Sequence, residues 1–485
     1  MPSAQPSVVI VGTGFGGLGM AIELKRAGFE NLVLLEKGDD IGGVWRENTY
    51  PGAGCDIPSP YYSFSYEPNP DWPMRFSLRE DIHDYMRRTA DKYGITPRIR
   101  FNSEVTGAAF DEDRGRWRVE TGSGTVHEAA VLIPAVGQLS RPALPTIPGR
   151  DSFAGKAFHS ALWDHDVDLT GKRVAVIGTG ASAIQFVPQI QPKVAQLTLF
   201  QRSAPYIVPK ADTVYRNWQR SLYRRLPAAQ LVERAFFWGL CEFATVGLKN
   251  NNAITRIVTG LSKALRAKQI KDPVLREKLT PDYPAGCKRV LFASNYYPAL
   301  AQPNVHVETT RIKEITPTGV STADGVAHDV DVIIYATGFT TTEFLGPMKV
   351  HGLAGRDLRE TWSAGARAYF GMAVPGFPNM FMMYGPNTNL GCGSIIYMLE
   401  RQARYIRQAV EQLARSGGSY VDVRQDVADR FDAEVQQRLS RSVWSMCSSW
   451  YRETSGRIST NWPGLVSEYH RRTRTLDLSD YQVTR

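Results

Sequence analysis

The chain has 485 residues, 43% of them apolar and 22% charged, and a formal charge of +9. That is the composition of a globular protein of two or three domains. Without a basic tail or interleaved aromatic and basic residues, the positive excess suits anionic cofactors or an acidic partner and argues against nucleic acid. No apolar run approaches the roughly 18 residues that span a bilayer. The five cysteines (Cys55, Cys241, Cys287, Cys392 and Cys447) are so far apart that a metal site, a disulfide framework and a dithiol centre are all unexpected. Such usage fits a reducing cytoplasm, and the near-immediate entry into a strand leads us to expect no cleavable signal segment.

Residues 8–36 read as a buried strand, a glycine turn, an amphipathic helix and a second strand ending in an acid. Gly12, Gly14 and Gly17 form G-x-G-x-x-G directly after the strand, with Phe15 inside the turn. The glycines serve a tight turn, close approach of backbone to a pyrophosphate, and close helix–sheet packing. The helix then presents free N–H groups to the phosphates. Glu36 is placed to accept hydrogen bonds from the adenosine ribose.

The glycine- and proline-rich stretch 42–56, GGVWRENTYPGAGCD, is a loop. Lying just past a parallel strand, it belongs at the carboxyl edge of the sheet, where ligands sit. Its pattern G-G-x-W-x(4)-Y-P-G-x(3)-D resembles flavin-dependent Baeyer–Villiger monooxygenases, relatives of the flavin-containing N- and S-oxygenases. The resemblance implies that Gly43, Val44, Trp45, Asp56, Ile57, Tyr62 and Val105 join the first turn in holding FAD. A helix is expected over 79–93, a strand over 99–110 and a hairpin to 117–121. Residues 131–137, VLIPAVG, read as a strand ending in glycine, followed by a stiff proline-rich linker.

Residues 153–164 match F-x-G-x(3)-H-x(3)-W-[PD], a fingerprint of the same family, in Phe153, Gly155, His159, Trp163 and Asp164. His159 reads as a hydrogen-bonded hinge element in preference to a general base. The opening pattern then returns: a strand over 174–177, the turn Gly178-Thr179-Gly180-Ala181-Ser182-Ala183, a helix, and a strand over 197–200. Gly12 to Glu36 and Gly178 to Arg202 span the same distance, yet the closing residue changes sign. Glu36 would repel a 2′-phosphate and Arg202 would pair with one. The first unit therefore reads as an FAD site and the second as an NADPH site, to which the resemblance adds Gln138 and Lys288.

Residues 211–283 read as helices with basic and apolar faces, an insertion in the second unit. The apolar cluster 235–240 is open to helix packing, an apolar channel or weak contact with a membrane surface, packing being preferred. Arg289, in GCKR, matches the family's active-site arginine. Residues 331–338, DVIIYATG, are read as a strand returning to the first sheet, with Thr340 where the family often has Asp. A strand and glycine-rich loop (377–394) open a long helix (395–415). The aromatic stretch 443–464 is open to a cavity wall or a surface hairpin.

The expected fold is α/β with two Rossmann-like domains: FAD on 1–150 and 330–485, NADPH on 151–329 with the insertion at about 211–283. The resemblance implies NADPH- and O2-dependent insertion of oxygen beside a ketone through a C4a-peroxyflavin, with Arg289 stabilising negative charge and Asp56 orienting it. N- or S-oxygenation by hydroperoxyflavin is the alternative. A flavin disulfide reductase is disfavoured by the lack of a close cysteine pair. Oligomeric state and the particular ketone are not legible.

Overall fold

A computed structural model describes residues 5–248, 253–416, 420–453 and 455–484. In chain order the first strands are β1 (Val8–Val11), β2 (Leu32–Leu35), β3 (Ile99–Arg100), β4 (Val105–Asp111), β5 (Arg116–Thr121), β6 (Val126–Ala129) and β7 (Val131–Pro134). They are followed by β8 (Lys156–His159), β9 (Arg173–Ile177), β10 (Gln196–Phe200), β11 (Val305–Glu308) and β12 (Val332–Tyr335).

Two parallel sheets carry the fold. The first runs β3-β2-β1-β7, the second β11-β10-β9-β12-β8. Their central strands, VVIV in β1 and VIIY in β12, are buried along their whole length, as parallel strands covered on both faces must be. The helices used below are α1 (Phe15–Arg26), α2 (Arg79–Lys92), α3 (Ala181–Ile190), α4 (Asn217–Arg225), α5 (Pro227–Leu248), α6 (Ala253–Gln269) and α7 (Ile395–Ser416). α4 to α6 are the expected insertion, of which residues 249–252 lie outside the described residues.

Three expectations are corrected. The strand over 99–110 is two strands in different sheets, separated by Asn102 at φ 51; a left-handed residue cannot continue a strand. Residues 331–338 do not return to the first sheet. β12 pairs with β9 and β8 in the second, Val332 opposite Val174 and Lys156. The return is made further on, where Leu132 donates to Asn379 O (3.0 Å) and Met383 to Pro134 O (2.8 Å). Lastly, Cys287 and Cys447 form a disulfide across 160 positions, leaving Cys55, Cys241 and Cys392 as free thiols. Sequence spacing sees short cysteine motifs, not pairs that only the fold brings together.

The links between the two sheets run side by side: Ala143 donates to Gly338 O (2.9 Å) and Thr340 to Arg141 O (2.9 Å). No helix among the described residues is long and apolar enough to cross a membrane.

Candidate active site between two nucleotide turns

At the first turn a Cβ on Gly12, where φ is 99°, would lie 2.8 Å from Ala135 O. One on Gly17 would collide with Gly12 O, while Gly14 meets nothing nearer than Gly43 Cα at 3.9 Å. The outer two glycines are thus demanded by packing, and the middle one leaves bare backbone open at the start of α1, where a pyrophosphate fits. The buried Glu36 carboxylate accepts hydrogen bonds from Thr13 N (3.0 Å), Thr13 Oγ1 (2.7 Å) and Gly38 N (2.9 Å). It is held at the edge of the turn, with Arg46 Nη1 3.4 Å from its Oε1.

Gly43 packs on Gly14, with Val44 and Trp45 in the short helix Val44–Glu47. Trp45 Nε1 donates to Tyr62 Oη (3.2 Å), and the ring of Phe15 stands edge-on to that of Tyr62. Ile57 and Val105 are buried, Val105 at the first position of β4. Gln138 Nε2 donates to Tyr384 O (3.0 Å), and its buried Oε1 has no partner. A polar atom so placed fits a ligand donor, and it belongs to a residue that the family resemblance assigns to NADPH.

The second turn repeats the plan. Gly178 has φ 110°, and its Cβ would collide with Ala336 O; around Gly180 there is open space. Ala183 is fully buried on α3, and Thr179 Oγ1 donates to Ser203 O (3.2 Å). Ser182 lies on the first turn of α3 with Ala181. Arg202 is exposed, and Lys288 Nζ donates to Ser203 Oγ (2.7 Å) above the ring of Tyr283. Burial, and then the charge of Arg202, hold the Lys288 ammonium below its ordinary range. Two cations that repel each other beside an empty-floored turn suit a 2′-phosphate, which would relieve that repulsion. The residues present thus fit FAD at one turn and NADPH at the other.

Asp56, at the end of the glycine-rich loop 42–56, meets Arg289, which follows Lys288 directly in the same loop. Arg289 Nη2 donates to both Asp56 oxygens at 2.9 Å, although 233 positions separate them. The carboxylate raises the guanidinium further above its ordinary range, and about a third of the arginine side chain stays exposed. Tyr384 and Tyr451 stand beside it. Burial pushes Tyr451 up to about 12, against the pull of Arg289, so both rings face the cation as neutral phenols. Tyr451 belongs to the aromatic stretch 443–464, for which a cavity wall is one reading; Tyr384 is not named by the sequence reading, and the Y-G-P-N motif around it, at φ 59, is the available signal.

The fingerprint residues build a joint. A Cβ on Gly155 would meet Asp331 O at 2.5 Å, so β8 can pack only as glycine allows. Phe153 packs beneath the second sheet, and Trp163 wedges against Phe158 and Phe186. Asp164 accepts from Asp166 N (3.1 Å). His159 Nδ1 accepts from Ala161 N (3.1 Å), capping the turn after β8, and burial depresses its pKa.

The described residues of 443–464 form no surface hairpin. Trp444, Tyr451 and Trp462 are buried, and the disulfide ties this stretch to the loop that carries Lys288 and Arg289. The cluster 235–240 departs from the packing reading: Phe237 and Trp238 pack inward, but Phe236 and Leu240 point out.

Residues 5–348 match the model of the flavin-binding monooxygenase-like family. The chain belongs to that family. Among its relatives, a Baeyer–Villiger monooxygenase of Streptomyces coelicolor is 46% identical over 99% of this chain and 92% of its own length. One of Pseudomonas aeruginosa is 43% identical over 98% and 91%. Solved structures agree over the whole chain. OTEMO in complex with FAD and NADP has a TM-score of 0.88 at 29% identity, covering 100% of both chains. Oxidized steroid monooxygenase bound to NADP has a TM-score of 0.88 at 29% identity, covering 99% of each. A mixed α/β fold with two Rossmann-like units is common to them and to this protein.

Proposed function

We propose that this chain is an FAD- and NADPH-dependent Baeyer–Villiger monooxygenase. It inserts one atom of dioxygen beside the carbonyl of a small-molecule ketone, giving an ester or lactone, and the other oxygen leaves as water. The observation that carries this reading is the Asp56–Arg289 pair, which ties a loop of the first nucleotide unit to the loop of the second that carries Lys288.

Bound FAD, reduced by NADPH, supplies the activated oxygen. Gly12, Gly14, Gly17 and Glu36 hold FAD, with Gly43, Val44, Trp45, Ile57, Tyr62 and Val105 around it. Gln138, Gly180, Ser182, Arg202 and Lys288 hold NADPH. Arg289 places a permanent cation where negative charge develops on oxygen as the ketone carbonyl is attacked. Asp56 fixes the plane of the guanidinium, and a preorganised donor of this kind contributes about 10²–10³ in rate. N- or S-oxygenation, an electrophilic transfer, has no use for that cation. The FAD domain comprises the chain up to the linker near Ala143 and again after Gly338. The NADPH domain lies between and includes β12.

The test is turnover of a ketone panel beside a thioether and an amine, with NADPH and O2, read by product mass. In Arg289→Ala we expect NADPH still to bleach the flavin absorbance while ester formation falls at least a hundredfold. Undiminished ester formation would remove Arg289 from the mechanism.

A further inference from the structure

The helical insertion carries a surface that this reaction does not use. More than half of the large apolar side chains exposed by the described residues fall between residues 214 and 261, about a tenth of the chain. On α5, Val232, Phe236, Phe243 and Val246 lie along one stripe at helical spacing. Val232, Phe236 and Phe243 are 69%, 64% and 62% exposed. α4 and α6 both pack against α5. Trp218 and Leu222, one turn apart on α4, and Ile257 and Leu261, one turn apart on α6, add further exposed apolar groups to the same three-helix unit. Monomeric soluble proteins rarely leave large apolar faces uncovered.

Charge is equally one-sided. Between Asp212 and Asp272 the only carboxylates are Glu233 and Glu242. Both are engaged inside the protein, Glu233 by Tyr215 and Tyr223 and Glu242 by the amides of Val466 and Ser467. Arg225, Arg256, Lys263 and Lys268 are exposed in the same stretch, while Arg224 is paired with Asp71. Lys268 continues the Ile257–Leu261 stripe of α6 by spacing and Arg225 the Trp218–Leu222 stripe of α4, while Arg256 and Lys263 stand further round the exposed side of α6.

We propose that this face docks on an anionic phospholipid bilayer, with α4 to α6 lying in the headgroup plane. Apolar and aromatic side chains in a stripe with arginine and lysine at its borders are what an interfacial helix needs. No described helix is able to cross, so the helices lie on the surface. A second copy is the poorer occupant, because a two-fold contact of this face with itself would set its unpaired cations against one another.

The opposite side of α5 reaches the site. Leu248 packs against Gly286 and Gly391, and Cys241 Cβ is 3.8 Å from where a Cβ on Gly393 would be. Docking therefore puts the helix that packs against Gly286, three positions before Arg289, next to lipid, from which an apolar ketone would enter. That consequence rests on the function proposed above; the docking does not.

The experiment is sedimentation of the FAD-loaded enzyme with vesicles of phosphatidylcholine alone or mixed with phosphatidylglycerol, at low and high salt, beside its sedimentation velocity without lipid. We expect at least tenfold tighter binding to the anionic vesicles, weakened by salt. Phe236→Glu with Phe243→Glu should lose at least tenfold of it. Lys263→Gln with Lys268→Gln, which leaves the apolar face whole should the first variant misfold, should lose severalfold. NADPH oxidation with a water-soluble ketone should not change in either variant. Absent or lipid-independent vesicle binding overturns the proposal, as does a dimer that the phenylalanine variant splits. Binding is read without turnover, so lipid binding without ester formation would sink only the proposed function, and the reverse result only the docking.

Discussion

In both nucleotide turns the first glycine sits under a carbonyl, of Ala135 in one unit and Ala336 in the other, and the middle glycine leaves backbone bare. They part company at two positions. The first turn ends on Gly17, whose Cβ would collide with Gly12 O, and its sheet closes on a buried carboxylate, Glu36. The second ends on the buried Ala183, and its sheet closes on the exposed Arg202 with Lys288 nearby. Shared backbone geometry decides where a pyrophosphate lies. The closing charge would tell the nucleotides apart, since a carboxylate accepts from ribose hydroxyls and repels a phosphate that a guanidinium would bind.

The largest break should come from giving the first turn the residue of the second. Gly17→Ala drives a methyl group into the backbone of Gly12, at a cost on the order of 3 kcal/mol. The variant should purify with little FAD and melt at a lower temperature, read by the ratio of flavin to protein absorbance and by circular dichroism. Next in size is the charge. Arg202→Ala removes a charge-assisted contact worth roughly 1.5–3 kcal/mol, so KM for NADPH should rise about 10- to 100-fold while KM for NADH hardly moves. Equal losses for the two coenzymes would show that the two units do not differ as the closing charges indicate.

A pH series sharpens the same contrast. Burial and Arg202 lower the Lys288 pKa, so its folded value lies below that of an unfolded lysine. The ammonium destabilises the fold at pH values below the folded pKa, and that penalty fades as pH rises through the window up to the unfolded value. Phosphate binding needs the charged form, so KM for NADPH should climb on the alkaline side earlier than an ordinary lysine would allow. In Arg202→Ala that limb should move to higher pH, because one of the two causes of the depression is gone. A limb that stays put would take Lys288 out of the phosphate site.

Much of this was legible beforehand because it is local. Glycine spacing and the sign of residues 36 and 202 are properties of short stretches; Asp56 and Arg289 were named by the family resemblance, and the structure brings those two together. What escaped was long-range. VLIPAVG and VIIYATG are near-copies, and each closes its own unit: β7 beside β1 and β12 beside β9. Reading the second copy as a return to the first sheet missed that symmetry, because strand pairing across many residues leaves no mark in either stretch. The bond between Cys287 and Cys447 escaped for the same reason. The outward stripe on α5 escaped for another. Helical periodicity tells that a face is apolar, but not whether anything covers it.

The smallest effect completes the exchange. Ala183→Gly puts the first unit's residue into the second turn, where no collision awaits and the only changes are a freer unfolded chain and a lost methyl contact. Such a change costs about 0.5–1 kcal/mol within a helix, and KM for NADPH should stay within about twofold of its starting value. If glycine and alanine merely marked different ancestries, Gly17→Ala and Ala183→Gly would be equally mild. The predicted inequality arises because β1, α1 and the Gly12 carbonyl approach more closely than their counterparts around α3, and melting temperatures of the two variants, measured side by side, test that difference in packing directly.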